Sequence, residues 1–194
     1  MNIKAFVHFF WMMGLFILPA LGLASVPQWI IVPGESQLSF TATQNDAPVS
    51  GQFKTFFGQI FVDPLDLASS RIDIVVDMNS VHASYAELKE TLITPDWFNV
   101  QLFPQAEFKA QGIQQSLDGT YQTTGTLKIR DKTVPVTLTF KAEQLSADKG
   151  VVEGSTVIKR SLFGVGQGEW SSTEEVKDEV TVRFKVVAIR QQGN

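Results

Sequence analysis

Apolar and polar residues alternate along most of the chain. In residues 71–78, RIDIVVDM, every second position is apolar, and most of the residues between them are charged. The same alternation returns in residues 107–112, 127–130, 133–141 and 180–186. Because successive side chains of a strand point to opposite faces, this pattern predicts antiparallel strands with one buried face and one wet face.

The alternation and the turn residues between segments together predict eight strands. Turn signals occur at Asp118-Gly119, Asp131-Lys132 and Lys149-Gly150. Within the second strand the parity of Phe53 conflicts with that of Phe56, which predicts a bulge or bend there. The predicted strands cover residues 36–44, 51–62, 70–80, 105–115, 119–130, 132–145, 151–161 and 178–190.

A single short helix is predicted between the third and fourth strands. Residues 84–87 (SYAE) fit a capping box, and Tyr85, Leu88 and Leu92 fall on one helical face. Pro95 ends the helix after about three turns. The aromatic segment 94–108, TPDWFNVQLFPQAEF, follows directly, and we expect helix and segment together to close one end of the sheet structure.

Two architectures accommodate eight antiparallel strands, a closed barrel and a two-sheet sandwich. An eight-stranded barrel has an interior that side chains fill or that holds one small ligand. Small residues at predicted inward positions leave space for a ligand, although they also fit the taper of a filled barrel. These small residues are Ala42, Ala110, Gly112 and Gly125.

Residues 1–24 have the organisation of a secretory signal peptide. Lys4 precedes a nearly unbroken apolar run over residues 6–18, and residues 22–24 (GLA) suit a signal peptidase. The run is shorter than the roughly 20 residues that a membrane-spanning helix needs. We therefore expect cleavage after Ala24, export, and a single mature domain over residues 25–194.

Charge and composition exclude several classes of function. The chain has 16 Lys and Arg against 20 Asp and Glu. Loss of Lys4 with the signal peptide lowers the net charge further, so we expect no nucleic-acid partner. No cysteine is present, which excludes disulfides, thiolate zinc sites and cysteine nucleophiles. His82 is the one histidine of the predicted mature chain, and no catalytic spacing accompanies it. We predict no catalytic residue, metal site or cofactor.

A series of short motifs resembles the YceI-like, polyisoprenoid-binding family. The motifs follow the family's order over essentially the whole predicted mature chain. They are GQFK at 51–54 with Gly58, Ala86-Glu87 with DWF at 96–98, FPQAEF at 103–108, GTLKI at 125–129, TVPV at 133–136, and Arg160-Ser161 with Phe163-Gly164. The resemblance implies a lipocalin-like antiparallel barrel, export to the periplasm, and an elongated apolar cavity that holds an isoprenoid chain.

The chain departs from the family pattern at positions that could meet a ligand's head group. It has Glu35 and Ser36 after the first Trp of the barrel, where the family often has Asp and then His-Ser. In the helix it has Leu88, Lys89 and Thr91 at positions that are commonly Arg, Asp and His. These departures do not affect the predicted binding of the tail, but they leave the head group undefined.

The predicted ligand site is the apolar interior of the barrel together with its mouth. An isoprenoid tail presents only apolar surface, and each methylene group that it buries contributes roughly 0.8 kcal/mol. Hydrocarbon walls are therefore what such a tail requires. The predicted wall and mouth residues are Phe40, Phe56, Ile74, Val76, Met78, Leu88, Leu92, Trp97, Phe98, Phe103, Phe108, Leu127, Val136, Leu138, Phe140 and Phe163.

Two predicted features have open alternatives. Trp97, Phe98, Leu102 and Phe103 form either the mouth of the cavity or a permanent seal at the end of the barrel. Arg160 is the candidate contact to a head group, because a guanidinium offers a planar fork of donors. The alternative is that Arg160 pairs with a carboxylate or caps backbone carbonyls.

The sequence predicts a binding or carrier protein for an isoprenoid-type lipid, either a polyprenyl or a quinone-like chain. A transient contact with an inner-membrane partner fits this function, and no oligomeric state is predicted. One alternative is a ligand-free interaction module that docks on a membrane redox or envelope partner. The other alternative is a hydrolase or isomerase that acts on an apolar substrate.

Overall fold

The computed structural model describes residues 26–191, so the predicted signal peptide lies outside the described residues. This part of the chain contains one α-helix, α1 (Ala86–Leu92), and twelve strand segments. The strands are β1 (Gln28–Ile31), β2 (Gln37–Gln44), β3 (Ala47–Phe53), β4 (Phe56–Asp63), β5 (Asp66–Asp77), β6 (Val81–Ala83), β7 (Gln105–Gln111), β8 (Gln114–Gln115), β9 (Tyr121–Ile129), β10 (Lys132–Ser146), β11 (Lys149–Lys159) and β12 (Glu179–Arg190).

The segments form a closed, eight-stranded antiparallel barrel. The first six segments make three interrupted strands, which are β1 with β2, β3 with β4, and β5 with β6. In the sheet, β4 pairs with β1 and β5, and β3 pairs with β2 and β6. The next five barrel strands follow as β7, β9, β10, β11 and β12. Pairing of β12 with both β1 and β2 closes the ring, with Trp29 opposite Arg190 and Phe40 opposite Val182. The predicted barrel is therefore confirmed, and the sandwich is not formed.

The conflict of parity at Phe53 marks a real interruption between β3 and β4. Phe53 and Phe56 both face the interior, although they are three residues apart. Ser80 holds the interruption in place, because its carbonyl accepts from Lys54 N–H (3.2 Å) and its hydroxyl from Thr55 N–H (3.0 Å). The break resets the alternation and keeps apolar side chains of both segments inside.

The turn at Asp118-Gly119 lies where it was predicted, and the other two predicted turns are shifted by one or two residues. The β9–β10 turn is Arg130-Asp131, since Ile129 pairs with Lys132, and the β10–β11 turn lies at residues 147–148. A further two-residue turn, Asn45-Asp46, joins β2 to β3 with positive φ at both residues (48° and 60°). Asn and Asp tolerate this left-handed conformation, which suits the twist of a two-residue hairpin.

The helix is shorter than predicted and lacks the predicted capping box. Tyr85 is its N-cap residue and makes no capping hydrogen bond through its side chain. The hydroxyl of Ser84 instead donates to Ser50 O (2.7 Å) and accepts from Ser50 N–H (3.3 Å), which ties β6 to β3. Seven residues make about two turns. Among residues 26–191, no helix is long and apolar enough to cross a membrane.

Tight packing is concentrated where α1 closes the barrel, which we call the helical end. The segment after α1 and the loops between β11 and β12 also lie there. The buried side chains of this cluster are Val81, Leu92, Trp97, Val136, Phe163, Val165 and Val176. A second, smaller cluster of Met78, Val100 and Ala106 adjoins it, sharing Phe53, Ile93, Phe98 and Ile129 as packing neighbours. The far end, which holds the β4–β5 and β10–β11 turns, is called the opposite end below.

Candidate functional site

The interior of the barrel contains an apolar cavity of about 380 Å³. Its lining extends from Gln44 and Tyr85 at the helical end to Val62 and Ile113 at the opposite end. A volume of this size falls within the range of pockets that hold small molecules. The side chains of the barrel wall therefore leave space that they do not fill.

Fifteen of the sixteen apolar residues predicted for the site line this cavity. Alternation along each strand brings them to the inner face, and α1 adds Leu88 and Leu92. The residues that the structure brings together are Phe40, Phe56, Ile74, Val76, Met78, Leu88, Leu92, Trp97, Phe98, Phe108, Leu127, Val136, Leu138, Phe140 and Phe163.

The prediction was wrong for Phe103, which does not line the cavity. The chain turns at Asn99, whose φ is 49°, and the Phe103 N–H donates to Asn99 O (2.9 Å). After this turn Leu102 is 71% exposed, and the ring of Phe103 packs against the guanidinium of Arg130, 5.7 Å from Cζ to the ring centroid. Of the aromatic residues between α1 and β7, Trp97 and Phe98 thus face inward and Phe103 does not.

Several residues of the cavity wall were not predicted, although the alternation of apolar and polar residues indicated some of them. The alternation over residues 180–186 predicted a strand, and its inward side chains also line the cavity. Phe53 was not assigned to the wall because its parity differs from that of β4. The missed wall residues include Leu38, Val49, Phe53, Ile60, Ile72, Ile129, Val152, Ile158, Val180, Val182, Phe184 and Val186.

Glycines inside the wall provide room for aromatic rings. A Cβ atom at Gly51 would lie within 3 Å of the Phe40 ring, and one at Gly125 within 3 Å of the Phe108 ring. Gly154 has the same relation to Phe184. The space that Gly125 was expected to leave for a ligand is thus occupied by Phe108. The outer atoms of these rings occupy the space beside the glycines, so a larger residue there would displace the rings.

Arg160 is committed to the protein backbone and not to a head group. Its five N–H groups donate to five carbonyls, those of Lys177, Val165, Gly166, Ser172 and Val176, at 2.8–3.3 Å. A guanidinium has five donors in all, so none is left for a ligand. The prediction of a head-group contact was therefore wrong, and the carbonyl-capping alternative is the one observed.

The charge of Arg160 is stabilised locally despite its burial. Burial lowers the pKa of the guanidinium, while the nearby carboxylate of Asp178 acts in the opposite direction. For Asp178, burial alone would raise the pKa. Hydrogen bonds from Ser161 and the charges of Arg160 and Lys159 outweigh burial, so the pKa of Asp178 is lowered. The two groups stay ionised at neutral pH, and the arginine fixes the loop between β11 and β12.

The segment after α1 is held by backbone hydrogen bonds. Asp96 O accepts from Gly166 N–H and Gln167 N–H, both at 2.8 Å. Arg130 Nη1 contacts the carbonyl oxygens of Pro95 and Trp97 as donor. Trp97 itself is only 8% exposed and belongs to the core cluster. Trp97 and Phe98 are therefore packed as part of the wall, whereas Leu102 and Phe103 do not line the cavity.

The exposed part of the lining lies beside the first turn of α1, and we infer that the cavity opens there. Of the described lining residues, Tyr85 and Glu87 are the exposed ones, with Tyr85 45% exposed. Gln44 and Thr91 line the cavity at the same end. We call these four residues the mouth.

His82 lies away from the cavity. It is exposed on β6, and its Nδ1 lies 3.2 Å from Ser80 O. Among residues 26–191, no group of three or more His, Asp or Glu side chains is placed to share a metal ion.

Comparison with known proteins assigns the family. The YceI-like domain model matches residues 29–188. The chain belongs to the YceI-like family. BcnA of Burkholderia cenocepacia, a solved structure, is 31% identical with a TM-score of 0.77, and the alignment covers 81% of this chain and 98% of BcnA. The predicted family resemblance is thus confirmed.

More distant YceI-like structures share the fold. A polyisoprenoid-binding domain from Saccharophagus degradans, described as implicated in plant cell wall breakdown, is 14% identical with a TM-score of 0.68, covering 84% of this chain and 98% of that one. A YceI protein of Campylobacter jejuni is 22% identical with a TM-score of 0.66, covering 73% and 85%. At these identities the likeness shows the fold alone.

Curated relatives match over a shorter region. A UPF0312 protein of Yersinia enterocolitica is 33% identical over 91 residues, and one of Yersinia pestis is 34% identical over 91 residues. The match covers 47% of this chain and 47% of each relative. The chain therefore spans about half the length of the curated relatives it matches.

Proposed function

We propose that this YceI-like protein binds an isoprenoid-type lipid, a polyprenyl or quinone-like chain, inside the barrel and carries it through the periplasm. The observation that carries the proposal is the cavity of about 380 Å³ whose wall is almost entirely apolar side chains. The name of the Saccharophagus degradans domain, which shares the fold, supports an isoprenoid as the ligand class.

The energetics favour a long tail over a short one. Burial of a single five-carbon unit contributes about 4 kcal/mol of binding free energy, which is comparable with the free-energy cost of association. Four such units contribute roughly 16 kcal/mol before that cost is subtracted. Affinity should therefore rise with tail length until the cavity is full.

A binding function fits the chemistry of the cavity better than catalysis. Arg160 has its donors committed to the backbone, and Thr123 donates its hydroxyl to Gly112 O (2.7 Å). Neither side chain is arranged as a nucleophile with a neighbouring base. The lipid is then held and released unchanged, and contact with an inner-membrane partner would supply or receive it.

A pair of matched substitutions tests the proposal. Val182 faces the cavity from β12, whereas Val157 on the neighbouring strand β11 faces outward and is 59% exposed. Val182→Trp fills the cavity, and Val157→Trp adds the same side chain outside it. Both variants and the unchanged protein are compared in competition between a fluorescent prenyl probe and unlabelled prenyl alcohols of increasing length.

We expect wild type and Val157→Trp to bind longer alcohols progressively more tightly, and Val182→Trp to bind them at least about tenfold more weakly. Circular dichroism checks that both variants are folded. Equal binding by the two variants would place the lipid outside the barrel. Absence of binding by all three proteins would favour the ligand-free docking module.

A further inference from the structure

Within residues 26–191, the lining of the cavity offers no cation with a free hydrogen-bond donor to a ligand. Glu87 and Arg160 are the charged residues among the described lining side chains. The five donors of Arg160 are all used by backbone carbonyls, as described above. Glu87 is exposed at the mouth. Lys89, on the same helix, is not one of the lining residues. An anion that enters the cavity therefore meets a carboxylate and no available guanidinium or ammonium group.

The rim around the mouth is also acidic. The segment 172–178 runs beside the β2–β3 turn, where it brings Glu174 and Glu175. Lys177, the basic residue of this segment, lies 3.6 Å from the carboxylate of Asp46. The positive charge of Lys177 is thereby paired with the carboxylate of Asp46. Beside the β2–β3 turn, the three carboxylates of Glu174, Glu175 and Asp46 thus accompany the single cation of Lys177.

Three of the uncharged polar side chains of the lining lie at the mouth. Gln44 provides an amide, and Tyr85 and Thr91 provide hydroxyl groups. Thr91 donates its hydroxyl to Glu87 O (2.9 Å), which leaves its oxygen lone pairs as acceptors. An amide, a phenol and a carboxylate can hydrogen-bond to a hydroxyl or carbonyl group of a ligand without a counter-charge.

We propose that the mouth selects lipids with an uncharged oxygen-bearing head group and rejects those that end in a phosphate or carboxylate. Glu87 is the residue that determines this specificity. The inference rests on the proposed function, since it assumes that the tail occupies the cavity and the head group lies at the mouth. A phosphate head in that position would be repelled by Glu87 and could not be neutralised from inside the barrel.

A comparison of geranylgeraniol with geranylgeranyl monophosphate tests the inference. The two ligands have the same tail and differ only in the charge of the head. Their affinities are measured by competition with the fluorescent prenyl probe on wild type, Glu87→Gln and Glu87→Lys. Glu90→Lys is the control, because Glu90 is exposed on the same helix and does not line the cavity.

We expect wild type to prefer the alcohol by roughly tenfold, with a preference that weakens as salt is added. Glu87→Gln should reduce the preference, and Glu87→Lys should reduce it to about threefold or less. Glu90→Lys should leave it close to the wild-type value.

Two results would overturn the inference alone while leaving the proposed function intact. One is equal affinity of wild type for the alcohol and the phosphate. The other is an identical change in preference for Glu87→Lys and Glu90→Lys, which would indicate a general effect of charge and not a site at the mouth. Binding of neither ligand by wild type would overturn both the inference and the proposed function.

Discussion

At the scale of single residues, two arginines organise the helical end. Arg130 contacts carbonyls of the segment after α1, and Arg160 contacts carbonyls of the loop between β11 and β12. Each side chain gathers several backbone carbonyls of loops, and those of Val165, Gly166 and Val176 at Arg160 are buried. The structural role of these two arginines cannot be deduced from composition, because an arginine beside a loop can equally contact a ligand, a carboxylate or the backbone.

Substitution of Arg160 should therefore affect stability more than binding. Arg160→Met leaves five carbonyl oxygens without their donor, three of them in fully buried hydrogen bonds. We expect a loss of about 3 kcal/mol or more in the free energy of unfolding, measured by urea titration. Arg160→Lys should recover only part of it, since an ammonium has three donors and no planar fork.

The control for this experiment is Arg183→Met, at an exposed position on β12. It should change the unfolding free energy by less than about 0.5 kcal/mol. A similar small change for Arg160→Met would show that water replaces the guanidinium, and the assignment of Arg160 as a structural residue would then be wrong.

At the scale of elements, glycines set the width of the barrel interior. Gly51 of β3 lies opposite Phe40 of β2, and a methyl group at this glycine would displace the Phe40 ring toward the cavity. His82 O also lies within 3 Å of the added atom, so the pairing of β3 with β6 must shift. A smaller cavity and a modest loss of stability should follow together.

Gly51→Ala is expected to weaken binding of a long prenyl alcohol by about fourfold for each methylene group excluded. The accompanying loss of stability should be about 1–3 kcal/mol. Gly34→Ala is the control, because no atom lies within 4 Å of its added methyl group. Isothermal titration calorimetry measures both affinities. Unchanged affinity in Gly51→Ala would mean that the Phe40 ring does not limit the space for the tail.

The alternation of apolar residues was sufficient to predict the number of strands and most of the inner face. It failed where local backbone events intervene. The interruption at residues 54–55 reversed the parity of Phe53, and the turn at Asn99 directed Phe103 away from the cavity. The capping box failed because Ser84 bonds to the neighbouring strand β3. These outcomes depend on tertiary contacts that no single segment of sequence contains.

At the scale of the whole molecule, the barrel combines a tightly packed end with a hollow interior. The core cluster at the helical end and the two arginines hold α1 and its following segment in place. The remaining strands supply an apolar wall without filling the space inside it. Six of the seven buried residues of that cluster also line the cavity, so the packed core and the hollow share part of one wall. The packed cluster at the helical end anchors the fold, and the hollow is the proposed site of the lipid.

The central claim is that this hollow accommodates a prenyl chain. Its most direct test is a crystal structure of the protein with geranylgeraniol bound. We predict continuous elongated density from the mouth at Tyr85 and Glu87 toward Val62 and Ile113, in contact with Phe40, and with the wall side chains close to their present positions. An interior collapsed around its own Phe and Leu side chains, with the alcohol absent or bound on the outer surface, would contradict the claim.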